Sequence, residues 1–438
     1  MDTIFNSRRC PSCWPVFLAM AFAVASAASG APAARSREAW VASWASSPTA
    51  ADPDPEQPLL NIEQQTVRER VRLSVGGVRL RVRLSNEFGS TPLTIGAATV
   101  ALSSDMQAVK PESLRSLTFG GRSSVVIPPG APVLSDAVDL PVATDAELSI
   151  SLYFPERVAT PTLHGLALKR AAITARGDFT RAVRVEAQAT SESSIAITAV
   201  LVPARRAQKL VVAFGDSITD GDGSTVDADR SWPSALARRL GKSERHAPVA
   251  IVNAGIAGNR LLSDGFGIRA IGLSALARFD RDVLAIPGAT HLMLLEGVND
   301  LGFPGATLGG QPLGGPGEAR TVEDLIGACQ QLIARAHARG LKVIGATVTP
   351  FEGTTFAGYY SDEKERARER LNTWIRTSDA FDGVVDFDAV LRDASHPSRM
   401  QARYASPDHL HPNDTGYQAM ADAIDLSLFD SDPAERLR

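Results

Sequence analysis

The sequence predicts an α/β fold built on a parallel sheet, preceded by an all-β domain of sandwich or jelly-roll type. Three observations lead there. The 438 residues exceed what one hydrophobic core usually organises, so two domains are expected. From Trp40 to about Val202, short runs alternate apolar with polar residues and stop at Gly or Pro. After Lys209, strand-like apolar runs alternate with runs of helical period, the mark of βαβ units.

The chain opens with Arg8 and Arg9, an apolar stretch from Trp14 to Ala28, and then small residues, Ala25-Ser26-Ala27 and Gly30-Ala31-Pro32-Ala33. Positive flank, short apolar core and small-residue cleavage sites compose an export signal. Residues 1–34 are therefore expected to be a signal peptide, cut between Ala27 and Ala34. A membrane span needs about 20 apolar residues, so no stable membrane anchor is expected after cleavage, and the mature chain is expected to be secreted or periplasmic. Cys10 and Cys13 fall inside the signal, which leaves Cys329 alone and the mature protein without an internal disulfide. Cys329 sits in a helical pattern with Leu325, Leu332 and Ile333 and reads as a small buried hydrophobe.

A net charge of −4 with no basic run offers no footprint for nucleic acid. The seven histidines form no cluster of metal-ligand spacing, so no metal and no cofactor is expected.

In the β-rich domain, residues 35–203, the clearest pattern is Val67–Val75, then Gly76-Gly77, then Val78–Leu84. Alternating arms around Gly-Gly predict a tight hairpin. One face would be core and the other a comb of Arg68, Arg70, Arg72, Arg79, Arg81 and Arg83, read as a solvated face balanced by nearby acids. Further strands are expected over Leu93–Leu102, Ser123–Ile127, Ala146–Phe154, Leu163–Ile173 and Ser194–Leu201. Trp40 and Trp44 are expected to pack in a core or between domains, and His164 to be structural. Ala204–Lys209 reads as the hinge.

In the second domain, residues 204–438, strands are expected at Leu210–Phe214, Val249–Asn253, His291–Glu296, Lys342–Val348 and Gly383–Phe387. Helices are expected at Trp232–Leu240, Ala270–Phe279, Val322–Arg339, Asp362–Ser378 and Thr415–Phe429. Open parallel sheets bind ligands at the carboxyl ends of their strands, and polar clusters fall there. The first strand runs into Gly215-Asp216-Ser217-Ile218. Alone, such a serine is more readily a helix cap than a nucleophile. The second ends at Asn253-Ala254-Gly255-Ile256-Ala257-Gly258, the third at Gly297-Val298-Asn299-Asp300, and Asp408-His409-Leu410-His411 precedes the last helix.

Nucleophile, base and orienting carboxylate are the groups acyl transfer needs: histidine takes the serine proton and a carboxylate supports the imidazolium. Ser217, His411 and Asp408 supply them. The Ser217 and Gly258 backbone N–H groups and the Asn299 amide would receive the oxyanion. His409 competes with His411 for the role of base.

These four blocks resemble the SGNH/GDSL hydrolase superfamily. The resemblance implies a flavodoxin-like three-layer α/β/α domain with strand order 2-1-3-4-5, Ser217, Asp408 and His411 as catalytic residues, and Ser217, Gly258 and Asn299 as the oxyanion hole. Asp216 and Asp300 are expected to support these groups from behind. Val298 stands where the family often has glycine. Trp40–Ser46, Val78–Gly89 and Pro92–Gly96 resemble secreted members carrying a β-sandwich ahead of the catalytic domain. The implied activity is hydrolysis of carboxylic esters, with O-acetyl groups on carbohydrate as the leading substrate class. Lipase, lysophospholipase or arylesterase activity is the alternative, and an inactive carbohydrate-binding protein is the reading from another class. The loop Gly302–Gly317 is expected to border the acyl pocket without secondary structure of its own.

Overall fold

A computed structural model describes residues 38–52, 58–205, 208–242 and 249–430. The expected signal peptide with Cys10 and Cys13, and the middle of the hinge, lie outside these residues.

The first half is a β-sandwich of two antiparallel sheets. One runs Trp40–Ala45, Ile197–Pro203, Gly77–Ser85, Val138–Val142, with Pro132–Leu134 also paired to Gly77–Ser85. The other runs Ala189–Ser191, Ala171–Arg176, Gln65–Arg72, Glu147–Phe154, Ala97–Leu102, Arg115–Ser116. Val67, Val71, Leu148, Ile150 and Leu152 from the second sheet and Leu80, Val82 and Leu84 from the first are buried in one apolar cluster.

The expected hairpin does not form. Gln65–Arg72 and Gly77–Ser85 belong to opposite sheets, so the chain between them crosses the sandwich. Neither Gly76 nor Gly77 has positive φ. They are small because the crossing is tight: a Cβ on Gly76 would lie 2.5 Å from the Val142 carbonyl oxygen, and one on Gly77 2.8 Å from the Val202 Cβ. The arginine comb is also not a solvated face. Arg68 is buried, and Arg70, Arg72, Arg79, Arg81 and Arg83 are half-buried. Arg70 and Arg72 reach Asp227 and Asp229 of the second half at 2.5 and 2.6 Å, so these two are balanced by acids across an interface, while Arg79 and Arg83 pair with Asp139 and Glu87 of the first half.

Three expected strands break in two. Leu93–Leu102 divides at Gly96, Ser194–Leu201 at Ala196 (φ 62°), and Leu163–Ile173 into Thr162–His164 and Ala171–Arg176. The short piece Thr162–His164 pairs with Ser194–Ile195 and Thr49–Ala50 in a small separate sheet. Trp40 and Trp44 pack half-buried against the core.

The second half carries a parallel sheet of five strands, Lys209–Gly215, Val249–Gly255, His291–Leu295, Lys342–Ala346 and Gly383–Val385, in the order 2-1-3-4-5. Lys209–Gly215, inside the sheet, is buried throughout, as a strand covered on both faces must be. Trp232–Gly241 packs with Asp414–Ala423, and Val322–Ala338 with Asp362–Thr377, which forms the outer layers of an α/β/α domain. The long helix Val322–Ala338 starts at a capping box of Thr321 and Asp324 and buries Leu325, Cys329, Leu332 and Ile333. The expected helix Ala270–Phe279 is reduced to Ala275–Phe279, because Gly272 (φ 78°) breaks the chain after a 3₁₀ turn at Arg269–Ile271. Gly302–Gly317 is not structureless: Thr307–Leu308 and Gln311–Pro312 pair as a small hairpin.

The halves are joined along the sheet's free edge. Val249–Gly255 is the edge strand, and its Ile251 N–H donates to Ser74 Oγ of the sandwich crossing at 3.0 Å. An exposed row of edge donors would otherwise invite pairing with another chain.

Candidate active site

The first strand ends at Gly215, and the chain turns at once into a single helical turn, Ser217–Asp220. Asp216 caps that turn, its Oδ1 accepting from Ile218 N–H at 2.9 Å. No side chain fits at Gly215, where a Cβ would sit 2.3 Å from the Leu295 carbonyl oxygen. Ser217 is thereby presented at the carboxyl end of the first strand.

The segment before the last helix meets it there. His411 Nε2 lies 2.8 Å from Ser217 Oγ, and His411 Nδ1 lies 2.6 Å from Asp408 Oδ2. Asp408 Oδ1 accepts from Ser406 Oγ and from the Leu410 and His411 N–H groups at 2.6, 2.9 and 3.0 Å, so the carboxylate cannot turn away. Burial opposes ionisation of Asp408, but the His411 bond and charge and the remaining donors hold it far below the usual carboxylate range. Burial likewise opposes protonation of His411, yet the Asp408 bond and the charges of Asp222, Asp408 and Asp216 lift it above the ordinary imidazole value. Asp222 Oδ2 stands 3.6 Å from Nε2. His409 is exposed at φ 56° and makes neither contact, so the structure brings His411, and not its rival, to Ser217.

Gly258 and Asn299 reach the same cavity as Ser217 and His411. Gly258 has φ 78°, and a Cβ there would meet Ile271 Cγ1 at 2.8 Å, so both conformation and space require glycine. Asn299 is buried, donates from Nδ2 to the Asn259 carbonyl at 3.0 Å, and accepts at Oδ1 from Tyr359 Oη–H at 2.7 Å. Since the Asn259 carbonyl can only accept, Nδ2 must face it and Oδ1 the tyrosine hydroxyl, with the second Nδ2–H left for the cavity. Burial keeps the Tyr359 phenol protonated. Asp300 sits behind, accepting from the Leu261 N–H at 2.9 Å and holding the loop that follows Gly258.

Beneath the site lie three buried acids. Burial raises Asp216 to about 7 and Asp300 to about 6, and lifts Glu296 well above its normal value. Arg278 is the cation among them. Its guanidinium donates to the Gly215 and Ala254 carbonyls at 2.8 and 2.7 Å and to Asn259 Oδ1 at 2.8 Å, tying the ends of the first two strands together. It also pairs with Asp282 at 3.1 Å and stacks over Phe214 at 4.0 Å.

The cavity in front of Ser217 has a volume of about 420 Å³, within the range of ligand pockets. Ile256, Ile271, Phe303, Leu313, Phe356 and Leu410 give it largely apolar walls. The expected loop contributes Phe303, Leu308 and Leu313, and the sandwich contributes Thr49, Leu163 and His164 among others. Among the described residues no group of three His, Cys, Asp or Glu could hold a metal ion. No described helix is long and apolar enough to cross a membrane.

Sequence reasoning missed Tyr359 and Arg278. Tyr359 lies in an irregular segment between the fourth strand and its helix, and Arg278 falls on a helix where a charge reads as solvent-facing. Neither carries a local signal. Residues 213–419 match the family model for GDSL-like lipases and acylhydrolases. Over that stretch the second half is similar to GDSL-like lipases and acylhydrolases. The sandwich lies outside the match. Solved structures similar to this chain include a GDSL-like lipase from Bacteroides thetaiotaomicron (17% identity, 52% of this chain and 90% of that one, TM-score 0.36). They also include an acetyl xylan esterase from Geobacillus stearothermophilus (17%, 51% and 94%, 0.37) and the acetyl xylan esterase AlAXEase (20%, 49% and 96%, 0.36). No curated protein matches the chain.

Proposed function

We propose that this protein is a serine carboxylic-ester hydrolase that works through an acyl-enzyme. The observation carrying the proposal is the unbroken hydrogen-bond chain Asp408–His411–Ser217 opening on an apolar cavity. Ser217 Oγ attacks the ester carbonyl while His411 Nε2 takes its proton, and Asp408 stabilises the imidazolium. The carbonyl oxygen becomes an oxyanion that receives the Ser217 and Gly258 backbone N–H groups and the free Asn299 Nδ2–H. Collapse expels the alcohol, which leaves with the proton from His411. Water then attacks the acyl-serine by the same path, releasing the acid and restoring Ser217.

Three substrate readings follow from the sequence: carbohydrate O-acetyl esters, lipid or lysophospholipid esters, and aryl esters. The cavity walls favour an aliphatic or aromatic ester. A sugar ring presents hydroxyls all round, and burying one without a partner costs about 1–3 kcal/mol. Ile256, Ile271, Phe303, Leu313 and Phe356 offer it none, and partners are confined to the polar part of the lining, Thr49, Asp52, Ser193 and Asp222 among them. Among the described residues no Lys or Arg lines the cavity, while Asp52, Asp220 and Asp222 do, which disfavours an anionic ester. Export to the extracellular or periplasmic space belongs to the same proposal and is supported by the composition of residues 1–34.

The test is a panel of p-nitrophenyl esters from acetate to decanoate, beside acetylated xylan and lysophosphatidylcholine, with Ser217→Ala in parallel. Highest kcat/KM on a medium-chain ester, abolished in Ser217→Ala, is expected. Highest specificity for acetylated xylan would restore the carbohydrate reading. Full turnover by Ser217→Ala would leave a binding protein instead.

A further inference from the structure

The oxyanion turn Ile256–Asn259 has no regular structure to stiffen it, yet Gly258 must aim one N–H at a point in space. Its own half ties both ends, Ile256 to the Gly215 carbonyl and Asn259 to Arg278 and Asn299, and the bond at its middle leads on to the other half of the molecule. Ala257 N–H donates to Asp220 Oδ2 at 3.1 Å. The other oxygen of Asp220 lies 3.0 Å from His164 Nε2, and His164 Nδ1 lies 2.9 Å from the Ser47 carbonyl. His164 and Ser47 both belong to the sandwich. On the opposite side, Ile271 fills the space over Gly258, and Asp52 accepts from the Arg269 and Ala270 N–H groups to pin that turn.

Proton accounting makes the His164 link specific. The Ser47 carbonyl can only accept, so Nδ1 carries a hydrogen. A neutral ring would then turn the bare Nε2 lone pair on an ionised carboxylate. A proton therefore lies between Nε2 and Oδ1, whichever atom holds it. His164 and Asp220 are both largely buried at the cavity wall, so each is left with few partners besides the other. The Asp220 carboxyl is in consequence fixed in rotation, and its second oxygen is fixed where Ala257 needs it.

We propose that His164 is a positioning residue for ester hydrolysis: through Asp220 it sets the turn that presents the Gly258 N–H, so the sandwich completes the oxyanion hole. The inference rests on the hydrolase reading above and on Gly258 as an oxyanion donor. It gives the first half a catalytic purpose beyond packing. An equally buried structural histidine would contribute stability alone.

The experiment compares His164→Ala and His164→Gln in the full chain, measuring kcat, KM, unfolding, and inhibition by an alkylboronic acid. Boronate bound to Ser217 is tetrahedral and anionic, so it reads the oxyanion hole directly. Deleting one such donor typically costs about 100- to 1000-fold in kcat. In His164→Ala the donor remains but is poorly aimed, so a fall of about 10- to 100-fold in kcat is expected. KM should stay nearly unchanged, and boronate affinity should weaken in step with kcat. Glutamine can donate from Nε2 to Asp220, and His164→Gln should recover most of the loss. The double variant His164→Ala/Asp220→Ala should lose no more than the worse single one, since both act along one path. Unchanged kcat and boronate affinity with only lower stability would overturn the proposal, as would a Gln variant no better than Ala. Ser217→Ala separates the two levels: if it abolishes turnover while His164→Ala does not lower kcat, only this inference fails.

Discussion

Replacing Tyr359 with Phe removes the hydroxyl that donates to Asn299 Oδ1, so its effect measures how Asn299 is oriented. Asn299 is held at two points, by the Tyr359 hydroxyl at 2.7 Å and by the Asn259 carbonyl at 3.0 Å. Asn299→Ala deletes the donor itself and should lower kcat by about 100- to 1000-fold. Tyr359→Phe leaves the Asn259 bond, and a flipped amide would set Oδ1 against that carbonyl, so the amide keeps its orientation with a softer hold. Leaving a buried acceptor unpaired costs about 1–3 kcal/mol of stability. If about 1 kcal/mol of that appears in the barrier, kcat falls about 5-fold. Steady-state turnover of a p-nitrophenyl ester and urea unfolding of Tyr359→Phe, Asn299→Ala and the double variant provide the readout. The double variant should be no slower than Asn299→Ala, because the hydroxyl acts only through the amide. The reasoning is refuted if Tyr359→Phe is as slow as Asn299→Ala, or if Asn299→Ala stays within 3-fold of the parent, about 0.7 kcal/mol.

Ala replacement of His411 should lower kcat by about 10⁴-fold or more, while His409→Ala, at an exposed position without contact to Ser217, should stay within about 2-fold, about 0.4 kcal/mol; comparable losses in both would undo the assignment of the base. The base must be neutral to accept a proton, so activity is lost as pH falls through the His411 pKa. Asp222 helps hold that pKa up, and Asp222→Asn should therefore move the acid limb of kcat/KM to lower pH, with an unmoved or rising limb counting against the 3.6 Å contact. Arg278→Met strips the cation from Glu296, leaves Asp282 with Arg281 alone and releases the Gly215 and Ala254 carbonyls, so unfolding should cost about 3–5 kcal/mol less, read as a drop in the urea midpoint; unchanged stability would mean Glu296 is neutral without it.

The parallel sheet was legible because each of its features is local. Val211–Phe214 is apolar throughout, and period alone separates it from the helix Trp232–Gly241. Ser217, Gly258, Asn299 and His411 could be named for a related reason: each stands next to a strand end or helix start, where the turn chemistry is written in adjacent residues. What was hidden is what arrives from elsewhere in the chain. Tyr359 and Asn299 are neighbours only because the fourth and third strands are neighbours. Gly76-Gly77 misled for a physical reason. Two glycines permit a tight turn, but they also permit close approach, and sequence does not distinguish the uses. The 2.5 Å gap to the Val142 carbonyl shows that approach governs here, and with the hairpin gone the two arms fall in different sheets.

The misread arginines bear on how the two halves work together. A solvated comb would leave the sandwich free of the α/β half, joined by a linker. Instead Arg70 reaches Asp227 at 2.5 Å, Arg72 and Lys169 reach Asp229 at 2.6 Å, and Glu147 pairs with Lys169 at 2.7 Å. Asp227 and Asp229 adopt φ of 68° and 52°, a conformation that costs other side chains more than it costs Asp. Those two residues lie on the loop that begins at Gly221 and carries Asp222 past His411. Partly buried and shared among six charges, the network resists the screening that makes isolated surface pairs nearly worthless. It anchors one side of the catalytic cavity as the His164–Asp220 pair anchors another. A cavity walled from both halves cannot keep its shape if the halves move independently. Arg70 and Arg72, by fastening them, therefore act on the same geometry that aims Ser217.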